Sequence, residues 1–99
     1  MTPAIPILVL GAYGTFGQHV ARLLAARGFA LTLAGRDRAK ALALAERMGA
    51  PHRGLGLDAF NAQACVEAFA GHGVVVHCAG PYGPAHVSVL KACLAARCH

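Results

Sequence analysis

The segment Gly11-Ala12-Tyr13-Gly14-Thr15-Phe16-Gly17 follows an apolar run at residues 5–10 and leads into a helical pattern that begins near Thr15. Its first glycine allows a tight turn out of a strand, and its second removes a side chain where backbone must approach a phosphate. The third glycine lets helix and strand pack closely, and the helix N-terminus offers unpaired N–H groups to an anion. The segment therefore predicts a phosphate-binding turn for a nucleotide; the alternative is a purely structural turn.

The composition indicates one globular domain. The chain has 99 residues, of which 57% are hydrophobic and 13% are charged, so it can bury a core and is unlike a disordered chain. No apolar run approaches the ~20 residues of a membrane-spanning helix, so no membrane partner is expected. Residues 1–4 carry no basic region, so no signal peptide is predicted and a cytoplasmic location is expected.

The net charge of +5 is concentrated at one cluster, Arg36, Arg38 and Lys40. A general basic surface would indicate a nucleic-acid partner, whereas one small cluster favours a single phosphate group. Nucleic acid is therefore not expected as a partner.

The four cysteines, Cys65, Cys78, Cys93 and Cys98, contain no C-x-x-C pair. We interpret them as reduced thiols that fill small apolar positions. The pairs His77-Cys78 and Cys98-His99 match no structural zinc spacing, so no metal site is expected.

Apolar runs predict strands at residues 5–10, 29–34 and 74–78, and a weaker strand pattern with two glycines lies at residues 53–57. Helical patterns follow each strand; the first three are expected to end at Gly28, Gly49 and Gly71, and the fourth begins near Pro84. The residues at amphipathic spacing are Phe16, Val20, Leu23, Leu24 and Arg27; Ala39, Leu42, Ala43 and Met48; Ala62, Cys65, Val66 and Phe69; and Val87, Leu90, Lys91 and Leu94.

The order βαβαβαβα predicts an α/β fold: a Rossmann-like, doubly wound parallel sheet in three α/β/α layers, with strand order 3-2-1-4. Such a domain usually has a fifth and a sixth strand, so residues 1–99 are expected to be the N-terminal part of a dinucleotide-binding domain. The fourth strand would then be an apolar edge, which favours self-association into a homo-oligomer.

The end of the second strand predicts which dinucleotide binds. An acidic residue there would favour NAD, but the chain has Arg36 with Arg38 close behind, and guanidinium groups match the 2′-phosphate of NADP. NAD is the less favoured cofactor. Asp37 could reach the ribose or cap the second helix, and both arginines could instead be solvated surface charges.

Two further segments are candidates for cofactor contact. Asp58, after the third strand, could accept a hydrogen bond from the adenine amino group or could be the N-cap of the third helix. Ala79, Gly80 and Pro81 end the fourth strand and are expected beside the cofactor, where Tyr82 could stack near the nicotinamide or serve as a packing anchor.

The glycine turn, Ala34-Gly35-Arg36 and Cys78-Ala79-Gly80-Pro81-Tyr82-Gly83 together resemble the N-terminal domain of the saccharopine dehydrogenase and saccharopine reductase-like family. The resemblance spans nearly the whole chain. It implies an NAD(P)-dependent oxidoreductase with a separate substrate and dimerisation domain, which would bind a small-molecule substrate. It implies cofactor contacts at Gly11, Tyr13, Gly14, Thr15, Phe16, Arg36, Asp58, Ala79 and Gly80, and no catalytic residue.

The leading functional hypothesis is an NADP-dependent oxidoreductase in which this domain orients the cofactor for hydride transfer. The alternatives are a nucleotide-sensing regulator that retained the fold without catalysis, and an interaction domain. Phosphoryl transfer of the P-loop type is excluded because no Gly-Lys-Ser/Thr follows the glycines.

Overall fold

The computed structural model describes residues 5–78 and 84–96; in the second range, side chains are described for Val89 and for residues 91–96. The predicted alternation of strands and helices is confirmed in these residues. The elements are β1 (Ile7–Leu10), α1 (Thr15–Ala26), β2 (Leu31–Gly35), α2 (Arg38–Met48), β3 (Arg53–Gly56), α3 (Ala62–Phe69), β4 (Val74–His77) and α4 (Pro84–Ala96). The strands are slightly shorter than predicted; β1, for example, begins at Ile7.

The strands of the described residues form one parallel sheet in the order β3-β2-β1-β4, as predicted. In register, Ile7 of β1 lies beside Leu31 of β2 on one side and beside Val74 of β4 on the other. All residues of β1 and β2 are buried, which explains their continuous apolar sequence. Within the described range β4 is an edge strand, and self-association through it stays a prediction.

The two faces of the sheet pack against different helices. Successive residues of a strand point to opposite faces, so Leu8 and Leu10 of β1 pack with Phe69 of α3 and Val89 of α4. Ile7 and Val9 contribute to the other core, which contains the following buried residues of α1 and α2: Ala21, Leu44 and Ala45. The sheet is therefore covered on both faces, which confirms the three-layer architecture.

The buried face of α1 differs from the one that apolar spacing predicted. Phe16 and Leu23 are 65% and 57% exposed, whereas Gly17 and Ala21 are buried. A Cβ atom added to Gly17 would collide with the carbonyl group of Gly11. The close approach of α1 to the turn therefore selects small residues for the buried face, and larger apolar side chains lie outside.

The same correction applies to α2 and α4. Ala39, Leu42 and Ala43 of α2 are exposed, and its buried residues are Ala41, Leu44 and Ala45. Backbone atoms of Ala41 and Leu42 lie where a Cβ of Gly54 would be, so β3 and α2 are also in close contact. In α4, Leu94 is 76% exposed while Val89 and Ala92 are buried; the side chains of Val87 and Leu90 lie outside the described set.

The first three helices end one or two residues before the predicted glycines: α2 is capped by Gly49 as predicted, whereas the C-caps of α1 and α3 are Arg27 and Ala70. Gly28, Gly49 and Gly71 have φ angles of 89°, 81° and 85°, in the left-handed region that favours glycine. Asp37 caps α2, because its side chain accepts a hydrogen bond from the N–H of Lys40. The proposed capping of α3 by Asp58 is wrong: the N-cap is Asn61, whose side chain accepts from the N–H of Ala64.

Candidate dinucleotide-binding site

The glycine turn is fixed against the end of β2. The N–H groups of Gly11 and Ala12 both donate to the carbonyl oxygen of Ala34, at 2.8 and 3.1 Å. Gly11 has a φ angle of 80°, which a residue with a side chain rarely adopts. The turn therefore leaves β1 abruptly, and the N–H of Gly14 closes it by donating to the carbonyl oxygen of Gly11 at 3.2 Å.

Gly14 is the N-cap of α1, and no side chain caps this helix. The N–H of Gln18 donates to the carbonyl oxygen of Gly14 at 2.8 Å, whereas the N–H groups of the first turn, at Thr15, Phe16 and Gly17, have no helical carbonyl behind them. Gly14 and Thr15 are exposed. The residues present thus fit a phosphate group, which needs N–H donors and an approach without a side chain.

A shallow cavity of about 590 Å³ lies beside this helix end, lined by Thr15, Phe16, Gln18, His19 and Arg22. Its lining is partly basic, and Phe16 adds an exposed aromatic ring. Thr15 and Phe16, both predicted as cofactor contacts, therefore lie at an open surface of the turn.

The end of β2 brings two guanidinium groups to the same edge of the sheet. Arg36 is 73% exposed, and its Nη2 lies 3.8 Å from Oδ1 of Asp58. The Cβ of Arg38 lies directly beside Gly56 at the end of β3, at the place that a side chain on Gly56 would need. Because parallel strands end at one edge, Arg36 and Arg38 lie on the side of the sheet that carries the glycine turn.

Asp58 is held by a local turn. Its Oδ1 accepts a hydrogen bond from the N–H of Phe60 at 2.9 Å, and its side chain is 53% exposed. The carboxylate therefore faces Arg36 and solvent, and its predicted contact with the adenine amino group stays a prediction.

Tyr13 lies at the end of β2, where sequence reasoning had no means of locating it. Its Oη accepts a hydrogen bond from the N–H of Asp37 at 2.8 Å, and its ring fills the space that a Cβ of Gly35 would take. Nζ of Lys40 lies 5.7 Å from the centre of that ring. The charge cluster in the sequence was the only signal for Lys40, and nothing in the sequence linked it to Tyr13.

The predicted contacts Ala79, Gly80 and Pro81, and also Tyr82, lie outside the described residues. The preceding residue is described: the N–H of Cys78 donates to the carbonyl oxygen of Leu10 at 2.8 Å. The end of β4 is thereby fixed beside the end of β1, where the glycine turn begins.

The described thiols behave as packing residues. Burial raises the pKa of Cys65, with a smaller contribution from the Asp58 carboxylate, and burial also raises the pKa of Cys78. Both thiols are free of disulfides and stay protonated at neutral pH, which makes them poor nucleophiles. Among the side chains described, no group of three or more His, Cys, Asp and Glu is arranged to hold a metal ion.

No helix in the described part of the chain has the length and apolar character required to cross a membrane.

A parallel sheet in the order 3-2-1-4, with a glycine turn joining its central strand to an uncapped helix, defines a Rossmann-type dinucleotide-binding domain. Residues 7–99 match the family model described as the saccharopine dehydrogenase NADP binding domain. The chain belongs to this family, which confirms the resemblance seen in the sequence and NADP as the family's cofactor.

Solved structures agree with this assignment. Apo saccharopine dehydrogenase (L-Glu forming) from Saccharomyces cerevisiae superposes with a TM-score of 0.83 at 30% identity, over 96% of this chain and 20% of that one. The NADPH-dependent quinone oxidoreductase QOR2 from Escherichia coli, complexed with NADPH, gives 0.78 at 26% identity, over 93% of this chain and 34% of that one. The chain therefore spans between a fifth and about a third of these proteins.

The protein Pen from Bacillus thuringiensis has a TM-score of 0.85 at 18% identity, over 95% of this chain and 35% of that one. At this identity the likeness concerns the fold alone. Comparison with curated proteins gave no match.

Proposed function

We propose that this domain binds NADP(H) along the edge of the sheet formed by the glycine turn and the end of β2, and that it orients the cofactor for hydride transfer in an oxidoreductase. One observation carries the proposal: the uncapped N-terminus of α1 and the guanidinium groups of Arg36 and Arg38 follow two neighbouring parallel strands. The two features are suited to the two phosphate positions of a single NADP molecule.

The pyrophosphate is assigned to the glycine turn. Gly14 presents backbone without a side chain, and the N–H groups of Thr15, Phe16 and Gly17 point out of the first turn of α1. The positive end of the helix dipole adds to these donors. In this proposal the role of Gly17 is structural, because it allows the helix to approach Gly11.

The 2′-phosphate is assigned to Arg36 and Arg38. A guanidinium is planar and offers several N–H donors to phosphate oxygens. The ion pair of Arg36 with Asp58 is long, at 3.8 Å, and exposed, so it can yield to a phosphate at little cost. The carboxylate of Asp37 is engaged by the N–H of Lys40, which supports its role as a helix cap rather than as a ribose ligand.

The nicotinamide ring supplies the hydride chemistry when the cofactor is bound. The contribution of this chain is to bind and orient, through Gly14, the first turn of α1 and the arginines. We assign Ala79, Gly80 and Pro81 to the side of the cofactor next to β4, and substrate binding to residues outside this chain. Dimerisation and a small-molecule substrate are part of the same proposal.

Calorimetric titration of the protein with NADPH and NADH at matched, modest salt tests the assignment. We expect NADPH to bind more tightly. Substrate-dependent loss of NADPH absorbance then separates an oxidoreductase from a nucleotide sensor, since a sensor binds the cofactor without oxidising it. Binding of neither nucleotide would contradict the proposal and favour an interaction domain.

Arg36→Ala tests the 2′-phosphate assignment directly. We expect it to weaken NADPH binding by more than about tenfold, since charge-assisted hydrogen bonds to a phosphate are lost, and to leave NADH binding nearly unchanged. Arg27→Ala is the matched control, because Arg27 is exposed at the opposite end of α1. Equal losses of affinity for NADPH and NADH in Arg36→Ala would contradict the assignment of the 2′-phosphate to Arg36.

A further inference from the structure

We propose that Lys40 is a third phosphate-binding cation of this site and that Tyr13 is the positioning residue that holds its ammonium group there. The inference rests on the proposed function, since it concerns the 2′-phosphate end of the same cofactor. It assigns a role to a contact that links the glycine turn to the first turn of α2.

Tyr13 is held from several directions. Its ring lies against Gly35, where even a methyl group would not fit. Its hydroxyl accepts the N–H of Asp37 at 2.8 Å, and its carbonyl oxygen accepts a hydrogen bond from Nε2 of Gln18 at 2.6 Å. A half-buried ring with these contacts has little freedom to move, so it offers a fixed surface at the end of β2.

Lys40 uses that surface. Its Nζ lies 5.7 Å from the centre of the Tyr13 ring, within the range of cation–π attraction. A lysine side chain in solvent samples many rotamers, and the ring favours those that return towards β2. Because Tyr13 covers Gly35, the residue before Arg36, the ammonium group is held at the strand end that carries Arg36.

The three cations around this point, Arg36, Arg38 and Lys40, outnumber the two carboxylates beside them, Asp37 and Asp58. Arg38 and Lys40 occupy the first turn of α2, which contains no acidic residue, although the helix dipole disfavours cations there. Among the described residues, the ion pair joins Arg36 to Asp58, and the ammonium group of Lys40 forms no ion pair with a described carboxylate. The three cations repel one another, Asp37 and Asp58 offset this repulsion only in part, and a bound phosphate dianion would reduce it further.

A double-mutant cycle on the protein tests the inference, with affinities for NADPH and NADH as the readout. Lys40→Met keeps the length of the side chain without its charge, and we expect about fivefold weaker NADPH binding with no change for NADH. Tyr13→Leu removes the ring and should cause a similar, selective loss. Because both changes act through one ammonium group, the double variant should lose no more than about either single variant.

Tyr13→Phe separates the ring from the hydroxyl and guards against misfolding of Tyr13→Leu. The phenyl ring keeps the cation–π surface, so Lys40→Met should still cost about fivefold in the Tyr13→Phe background. Lys91→Met is the matched control, since Lys91 is exposed on α4. The salt dependence of NADPH binding should become shallower in Lys40→Met and stay unchanged in Lys91→Met.

The outcomes are distinct. If the unmodified protein prefers NADPH and Lys40→Met leaves that preference intact, Lys40 does not bind the phosphate and the inference is wrong. If the losses of Tyr13→Leu and Lys40→Met add, Tyr13 does not act through Lys40, and its positioning role is overturned. If the unmodified protein shows no preference for NADPH, the proposed function itself fails.

Discussion

The N-termini of α1 and α2 lie at the same edge of the sheet and are built in opposite ways. At α1 the cap is Gly14, without a side-chain hydrogen bond. At α2 the cap is Asp37, whose carboxylate accepts the N–H of Lys40 at 3.1 Å. The structure describes the N-caps of three helices, and the third, α3, is capped in the same way as α2, by the side chain of Asn61.

The difference separates two ways to bind an anion. A helix end capped by glycine forgoes only about 0.3 kcal/mol relative to one with a side-chain cap, and α1 keeps its N–H groups available for a ligand instead. At α2 the Asp37 carboxylate occupies the N–H of Lys40 and places a negative charge at the helix end, so in the proposed function a phosphate there is bound through side chains such as Arg36 and Arg38. In the proposed function, the first arrangement would bind any pyrophosphate, and the second would distinguish NADP from NAD.

The largest effect on stability and on nucleotide binding is expected from a methyl group added at Gly17, between α1 and the glycine turn. In Gly17→Ala the new methyl group meets backbone of Gly11 rather than a flexible side chain. We expect a loss of about 3 kcal/mol in the free energy of unfolding and loss of binding of both nucleotides, since the turn must move. Urea unfolding and calorimetric titration measure the two effects.

Gly28→Ala is the control for that change. It adds the same methyl group to a glycine with open space around it and a φ angle of 89°. The left-handed conformation should cost about 1 kcal/mol, with nucleotide affinities unchanged. A Gly17→Ala variant as stable as Gly28→Ala would contradict the close approach of α1 to the turn.

A smaller effect is expected from giving α1 the kind of cap that α2 has. Gly14 has φ −69° and ψ 164°, which an aspartate can adopt, so Gly14→Asp should change the free energy of unfolding by only about 0.3 kcal/mol. The carboxylate would occupy the N–H groups and repel a pyrophosphate, so both NADPH and NADH should bind at least about tenfold more weakly. Calorimetry on both nucleotides measures this loss.

Gly14→Asn adds a cap of the same shape without the charge, and it should weaken binding less. If Gly14→Asp bound both nucleotides as tightly as the unmodified protein, the first turn of α1 would not be the pyrophosphate site.

The smallest effect is expected from removing the cap of α2. Asp37→Ala loses the hydrogen bond to the N–H of Lys40 and should cost about 1 kcal/mol of unfolding free energy. Asp37→Asn keeps an acceptor and should stay within about 0.3 kcal/mol of the unmodified protein. Thermal and urea unfolding compare the two variants; equal losses would show that the carboxylate acts through its charge and not as a cap.

The sequence was sufficient for the topology because the signals were local. Continuous apolar runs marked β1 and β2, glycines with positive φ marked three helix ends, and Asp37 marked the start of α2. The parallel order then followed from the alternation of strands and helices. Each of these features depends on residues that are close together in the sequence, so the sequence alone is enough to identify it.

The faces of the helices and the position of Tyr13 depended on distances that the sequence does not contain. Apolar spacing predicted that Phe16 and Leu23 would lie on the buried face of α1. The buried residues are instead Gly17 and Ala21, because α1 lies so close to the glycine turn that a Cβ on Gly17 would collide with Gly11. The contact of Tyr13 with Asp37 joins residues on two different crossovers. Asp58 failed as a cap for a local reason, because its carboxylate bonds to Phe60 and leaves the cap to Asn61.

The central position of β1 also has a kinetic consequence. Ile7 pairs with Leu31 and with Val74, so β1 is synthesised before both of its neighbours and must wait for β4 to complete its pairing. Until β4 arrives, one side of a fully apolar strand has unpaired N–H and C=O groups, and long-range pairings of this kind form slowly. Synthesis that pauses between α2 and β4 would therefore prolong the interval in which nascent chains can aggregate through β1.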